Sequence, residues 1–338
     1  MNVVVVIDAP YEALAPGRQR RIRSVVEHLE GLGCETTMVA SGTKGSLAGR
    51  ALSAMRLRPT LDAVRAAKPD AVVVAGFSAP HLVILAERLA KRFVTLLDVC
   101  DSWALQVDAR EGMGFTPRMV PRAGVLLQRR CRRIAGYTYI SARDARADLD
   151  AGLCSAETAI LPQAIDAALA QLPPVTIPLR RLTVAADLVS FQNTDVWAHI
   201  ESEAATMRAL GLPPLEVYGK VPEDYTAPEG IVVRGWAPEL STVYEGDTGV
   251  VVTNVPGSGV PNKMIEALAA GRPVVASDEL DYVPHGPQDR IYWWRPDTPI
   301  SEPIRAMVAG EPVGTSSFAE AEWPVLSLEM LAQADMAR

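Results

Sequence analysis

The chain has 338 residues, 49% of them hydrophobic and 22% charged, with a net charge of -7. That length and apolar content exclude a disordered chain and leave room for two domains, each with its own core. The charge is uneven: residues 1–168 carry 22 basic against 17 acidic side chains and the remainder 11 against 23, so a basic half precedes an acidic one.

In chain order, VVVVIDA (3–9) reads as a buried strand, and RQRRIRSVVEHLEGLG (18–33) as an amphipathic helix ending at glycine. ETTMVA is the next strand, a Gly/Ser-rich turn follows, and LDAVRAAK is helical. PDAVVVAGF and FVTLLDV are continuous apolar strands flanking the helix APHLVILAERLAKR. Continuous β-branched runs between helices predict a parallel sheet covered on both faces. Residues 101–121 read as a loop, AGVLLQRRCRRIAG as a helix, YTYI as a strand, and SARDARADL as a helix with Ser141 and Asp144 in a capping arrangement. TAILPQAID is strand-like, and the proline-rich LPPVTIPLRR (172–181) suits a linker.

The second half repeats the rhythm: RLTVAADL, PLEVYG, GIVVRGW, TGVVVTN, RPVVAS and DRIYWW are strands, with helices at 194–211, in APELSTVYEG, after Pro261 and near ISEPIRAMVAG. AEWPVLSLEMLAQADM reads as a closing helix. The architecture expected is α/β, two Rossmann-like βα domains facing a cleft. Its boundaries are 1–170 for the first domain, 171–181 for the linker, 182–316 for the second domain and 317–338 for the final helix.

No apolar run approaches the roughly 18–20 residues of a membrane span. The opening MNVVVVIDAP meets Asp8 without a basic segment before it, so it does not suit a signal peptide. Cys34, Cys100, Cys131 and Cys154 are scattered, as are His28, His81, His199 and His285. This spacing predicts reduced thiols in a cytoplasmic protein and no protein-bound metal.

The chemistry concentrates in GSGVPNKMIEALAAGRPVVAS (257–277). A strand, a glycine-containing loop and a helix start together make an oxyanion site, because free N–H groups and the helix dipole both favour negative charge. Lys263 adds a cation, and Glu266, three residues on, shares its face of the helix. A cation for a diphosphate and a carboxylate for a ribose diol suit a nucleotide-sugar; the plain alternative is a solvated pair on a capped helix. There is no GxxxxGK[ST] and, after the first strand, no GxGxxG, which argues against a Walker site or a nicotinamide enzyme.

This stretch resembles the donor-binding segment of family-4 retaining glycosyltransferases of the GT-B fold, in the branch with an Asn-Lys-x-x-Glu-Ala-x-Ala-x-Gly-x-Pro-Val-Val pattern. Asn262, Lys263, Glu266, Ala267, Ala269, Gly271 and Pro273 to Val275 match it. Weaker echoes follow in family order: PDAVVVAGF, LLDVCDSW, YTYISARDARADL, AILPQAID, VVRGWAPEL and EWPVLSLEML, the last similar to a helix that crosses back to the first domain. The resemblance implies transfer of a sugar, of hexose type, from a nucleoside-diphosphate sugar to an acceptor hydroxyl with retention and without a metal or other cofactor. Lys263 would stabilise the leaving diphosphate and Glu266 would bind ribose. Gly257, Ser258, Gly259 and Val260 would hold phosphate or sugar, Gly235 and Trp236 would face the base, and Gly219 would let the backbone pass close to the nucleotide. Gly17, Arg18 and Asp101 would face the acceptor. His81 is a further acceptor-side candidate, set against the plainer reading of a histidine that begins a helix.

Departures from the pattern are specific. Ser258 stands where the family's earlier glutamate belongs, Cys100 replaces a histidine, Gln163-Ala164 replaces Asn-Gly, and AADLVSFQNTD lacks the usual Arg and Lys. They keep open an inactive GT-B-like subunit that assists a partner; the other alternative is a nucleotide-sugar epimerase on the same fold, which needs acidic and His groups around the sugar that the sequence does not display. The Arg-rich GRQRRIR and QRRCRRIAG predict either snorkelling surface arginines or an anionic acceptor, whether phosphorylated, lipid-linked or nucleic acid. With the second option goes peripheral contact at the inner face of the membrane.

Overall fold

The computed structural model describes residues 1–14, 16–41, 57–75, 80–110, 115–154, 157–161, 163–189, 191–254, 260–280, 290–312 and 327. Up to Pro312 they fall into two compact units, Met1–Ala164 and Ile165–Pro312.

The first unit is built on a parallel sheet of β1 (Asn2–Ile7), β2 (Glu35–Ala40), β3 (Ala71–Ala75), β4 (Val94–Cys100), β5 (Gly136–Tyr139) and β6 (Glu157–Ile160). Their order is β2-β1-β3-β4-β5-β6. The continuous apolar run of β1 is explained by burial on both faces. Val3, Val5 and Ile7 pack with Ile22, Val25 and Leu29 of helix α1 (Pro16–Gly31). Val4 and Val6 pack on the other side with Leu57 and Val64 of α2 (Leu57–Ala67) and Leu82 and Leu85 of α3 (Pro80–Leu89).

Two helices occupy the segment read as a loop. α4 (Trp103–Asp108) is capped by Ser102, whose hydroxyl accepts from the Leu105 N–H at 3.1 Å. α5 (Phe115–Gln128) begins well before Ala123 and stops before the RRCRRIAG stretch expected to continue it. It carries Pro121, which forfeits a backbone hydrogen bond, and packs Val120, Val125 and Leu127 against the core. Gly124 makes the pairing of the two helices possible, because a Cβ there would lie 2.4 Å from the buried Trp103 ring. α6 (Ala142–Asp150) starts as the sequence indicates, with Ser141 Oγ accepting from the Asp144 N–H.

The second unit carries β7 (Arg181–Ala185), β8 (Leu215–Tyr218), β9 (Ile231–Gly235), β10 (Thr248–Val251), β11 (Val274–Ser277) and β12 (Ile291–Trp294). They form a second parallel sheet, in the order β12-β11-β10-β7-β8-β9. Among the described residues five helices accompany it: α7 (Phe191–Ser202), α8 (Ala204–Ala209), α9 (Ser241–Tyr244), α10 (Asn262–Ala269) and α11 (Ser301–Ala309). The helix expected over 194–211 is two, broken at Glu203, whose carboxylate accepts from the N–H groups of Ile300 and Ser301 at 2.7 and 3.0 Å and so caps α11. The α/β class with two parallel sheets is the architecture expected. The closing helix, expected over 317–338, lies outside the described residues apart from Ser327.

Candidate functional site

In the second unit, strand order reverses between β7 and β10, which pair directly through Val250 and Thr183. Connections from the two strands therefore leave toward opposite faces, and an open α/β sheet binds ligands in the crevice at that switch point, outside the carboxyl ends of its strands. Asp187 and α7 follow β7; Thr253, Asn254 and α10 follow β10.

Lys263, in the first turn of α10, reaches into this crevice. Its Nζ donates to Asn193 Oδ1 at 2.8 Å and Thr253 Oγ1 at 3.3 Å. The Thr253 hydroxyl donates to the same Asn193 oxygen at 2.8 Å, and the Asn193 amide nitrogen donates to the Asp187 carbonyl at 2.8 Å, which fixes the orientation of the asparagine. Asn193 and Thr253 are buried. None of the ion pairs among the described residues includes Lys263. Burial pushes its ammonium down to about 7, and the charge of Asp187 offsets only part of that cost. Among the described residues no side chain caps α10. A half-buried cation with neutral partners beside a helix start whose N-cap residue, Pro261, makes no side-chain cap is an arrangement that an anion completes.

Glu266 is buried in the same helix and accepts a hydrogen bond at 2.8 Å from the hydroxyl of Tyr244. Gly219 follows β8 with φ 132°, and a Cβ on it would lie 2.1 Å from the Ala186 carbonyl oxygen. Its N–H donates to the Gly235 carbonyl at 2.8 Å, so the ends of β7, β8 and β9 converge here. Gly219→Ala should therefore destabilise the protein by about 2 kcal/mol or more, read from the urea midpoint, since both the backbone conformation and the space forbid a side chain. Gly235 has φ 72°, and the adjacent Trp236 is 76% exposed. An indole left that open is available for stacking. Val260 is half-buried ahead of α10; Gly257, Ser258 and Gly259 lie outside the described residues.

The acceptor-side candidates all belong to the first unit. Gly17 is exposed in the first turn of α1, and Arg18 forms an ion pair with Asp8 at 2.5 Å. His81 stands half-buried at the start of α3. Asp101 follows β4 directly, after Cys100 in the left-handed region (φ 63°), and accepts a hydrogen bond from the Cys100 thiol at 3.5 Å. Burial, reinforced by the Asp144 carboxylate, pushes Asp101 up to about 7. Among the described residues no cluster of three or more His, Cys, Asp or Glu could hold a metal ion, and no helix is long and apolar enough to cross a membrane.

Asn193, Thr253 and Tyr244 are the site residues that sequence reading passed over. Asn193 lies in AADLVSFQNTD, the segment that lacks the usual Arg and Lys, and the other two stand beside strand β10, one at each end.

Residues 194–299 match the family described as Glycosyl transferases group 1. The match contains Gly219, Gly235, Trp236, Thr253, Lys263 and Glu266. No curated protein matches the sequence significantly. Among solved structures, HepE of Anabaena in complex with UDP and glucose is similar at TM-score 0.60 and 14% identity, over 91% of this chain and 92% of that one. The lipopolysaccharide outer core galactosyltransferase WaaB, in its apo form, is similar at TM-score 0.58 and 14% identity, over 92% and 91%. The UDP-GlcNAc 2-epimerase of Methanocaldococcus jannaschii is similar at TM-score 0.57 and 9% identity, over 100% and 99%. The fold is GT-B. In this GT-B chain the switch-point cluster lies in the unit that carries the family match.

Proposed function

We propose that the protein is a glycosyltransferase that takes a nucleoside-diphosphate sugar into its second unit and transfers the sugar, of hexose type, to an acceptor hydroxyl with retention of configuration. The observation that carries this reading is Lys263, a half-buried cation held by neutral, buried partners at the strand-order switch point. Lys263 neutralises the departing diphosphate, the start of α10 supplies N–H groups and dipole, and Glu266 accepts from the ribose hydroxyls. Trp236, beside Gly235, stacks on the base. Catalysis then comes from leaving-group stabilisation and positioning. The bond from the anomeric carbon to the phosphate oxygen breaks as the acceptor oxygen bonds to that carbon, and the acceptor proton passes to the leaving phosphate. No protein nucleophile, metal or other cofactor takes part. On the acceptor side Asp101, Arg18, His81 and Gly17 are the residues proposed, and the basic first half favours an anionic acceptor.

Support comes from the group 1 family match and from a structural neighbour whose complex holds UDP and glucose. Calorimetric titration with UDP, GDP, ADP, dTDP and their sugars should show binding of at least one; none binding would remove the reading. A neighbour that is an epimerase gives the second reading its weight. Incubation with the sugar nucleotide alone separates the two. A transferase slowly releases nucleoside diphosphate and free sugar to water, whereas an epimerase returns an isomeric sugar nucleotide with no net release. Binding without any turnover would mark an inactive subunit.

The affinity for UDP-glucose should fall about tenfold per pH unit above about 7, because the anion binds the protonated lysine and the free protein loses that proton there. The sugar nucleotide is the correct probe, since its phosphodiester groups do not titrate in this range. In the unliganded protein the sign is opposite. The unfolded chain keeps the Lys263 proton up to its ordinary value of 10.5, so this group's contribution to folding stability improves as pH rises from about 7 toward 10.5. Calorimetry from pH 6 to 9 should show a slope in the wild type that is reduced in Lys263→Met by the contribution of this one group.

A further inference from the structure

The Glu266 carboxylate is backed by a chain of buried groups. Its Oε2 accepts from the Tyr244 hydroxyl at 2.8 Å, and Tyr244 is fully buried at the end of α9. The Tyr244 carbonyl accepts from Nε of Arg272, which follows α10 in the Gly-Arg-Pro turn. Arg272 Nη1 donates to the Pro173 carbonyl at 2.7 Å, in the segment that leads into β7.

Arg272 is an unusual residue to find here. It is fully buried, yet none of the ion pairs among the described residues includes it, and its Nη2 is buried without a hydrogen-bond partner. Burial lowers its pKa; the charge of Asp247 opposes that shift and Arg290 adds to it. An apolar side chain of similar volume would fill the space at lower cost. What the guanidinium does that an apolar group could not is bridge two carbonyls, those of Tyr244 and Pro173, and so fix where Tyr244 sits. The terminal torsion of a glutamate is broad and soft. A phenol held in place on one carboxylate oxygen fixes the plane of the group.

We infer that Tyr244 and Arg272 are positioning residues that hold the Glu266 carboxylate for the ribose hydroxyls of the donor, so that the preference for ribo- over 2′-deoxyribonucleotides is set by two buried side chains behind the acid. This rests on the assignment of Glu266 to the ribose in the function proposed above. Tyr244→Phe keeps the ring and its packing and removes only the hydroxyl. A purely structural role would weaken both kinds of nucleotide equally, whereas a positioning role changes their ratio.

The test is calorimetric titration of UDP, GDP and ADP, each against its 2′-deoxy form, into wild type, Tyr244→Phe, Arg272→Lys and Glu266→Gln, with melting temperatures recorded for all four. The wild type should prefer the ribonucleotide by about tenfold to a hundredfold, the range for hydrogen bonds to a charged acceptor. Glu266→Gln should lose most of that preference. Tyr244→Phe should reduce it to about threefold or less while leaving the 2′-deoxy affinity in place. Arg272→Lys, able to reach one carbonyl only, should reduce it in the same direction and decides the matter if Tyr244→Phe does not fold. An unchanged ratio in a folded Tyr244→Phe, beside a reduced one in Glu266→Gln, overturns the inference and leaves the functional reading standing. A wild type that binds ribo- and deoxyribonucleotides alike overturns the role of Glu266 and the inference with it. Binding of no nucleotide at all overturns the functional reading itself.

Discussion

Lys263→Ala should lower kcat by about 10²–10³-fold, the usual loss when one preorganised group aimed at developing charge is removed. The measurement is nucleoside-diphosphate release from the sugar nucleotide at saturating donor and acceptor. The effect should lie at the upper end of that range because AADLVSFQNTD supplies no second cation: Asn193, which holds Lys263, stands in that segment, and Asp187 brings a negative charge toward the site. The drop should not come from unfolding. The wild type carries the cost of an ammonium whose pKa burial lowers to about 7, and the alanine variant is relieved of it. Asn193 Oδ1 keeps its hydrogen bond from Thr253 in the variant, so no buried acceptor is orphaned. The melting temperature should hold while turnover collapses. Near-wild-type turnover in a folded variant would take Lys263 out of the reaction.

How far the sequence reaches can be judged from such residues. The strands were legible because runs such as VVVVI in β1 and AVVVA in β3 are apolar on both faces and allow few other readings. Lys263 and Glu266 were legible because their spacing lies within one helical turn, a local property. Asn193 and Thr253 are linked to Lys263 across 70 and 10 residues, and Tyr244 to Glu266 across 22. Nothing in their neighbourhoods marks them, since only the sheet order brings them together. The start of α5 was hidden for a different reason: Pro117 and Pro121 argue for a loop, and tertiary packing of Val120, Val125 and Leu127 overrides that local signal. The Arg-rich GRQRRIR invited a single reading for all its arginines, surface or partner. Arg18 is partly exposed, whereas Arg21 is almost completely buried, and periodicity alone does not show which of them has an acid waiting in the core.

That acid is Asp98. Asp98→Ala should cost about 3–5 kcal/mol of folding stability, the loss typical of leaving one member of a buried ion pair uncompensated. Arg21 donates from Nε to Oδ2 at 3.0 Å and from Nη2 to Oδ1 at 2.5 Å, and its Nη1 donates to the Leu161 carbonyl. The Thr138 hydroxyl donates to Asp98 Oδ1 at 2.7 Å. One guanidinium thus ties α1 to β4 and to the residue after β6, while Asp98 reaches β5. Side-chain exposures are 1% for Arg21 and 0% for Asp98. Burial works against the charge on Arg21, but the Asp98 carboxylate more than restores it, so the guanidinium pKa stands above its ordinary value. Remove the carboxylate and a full positive charge remains in the core, with Asp101, itself pushed up to about 7, as an acidic neighbour. Urea unfolding should show the midpoint fall with little change in slope, because the same surface is exposed on unfolding. The double substitution Arg21→Met with Asp98→Leu should recover most of the loss, since a buried pair is often no more stabilising than apolar residues of similar volume. Such a variant would also separate stability from chemistry. Asp101 lies three residues beyond Asp98, past the bend at Cys100, so a stable double variant with altered acceptor affinity would show that the ion pair also sets the course of the chain leading to Asp101.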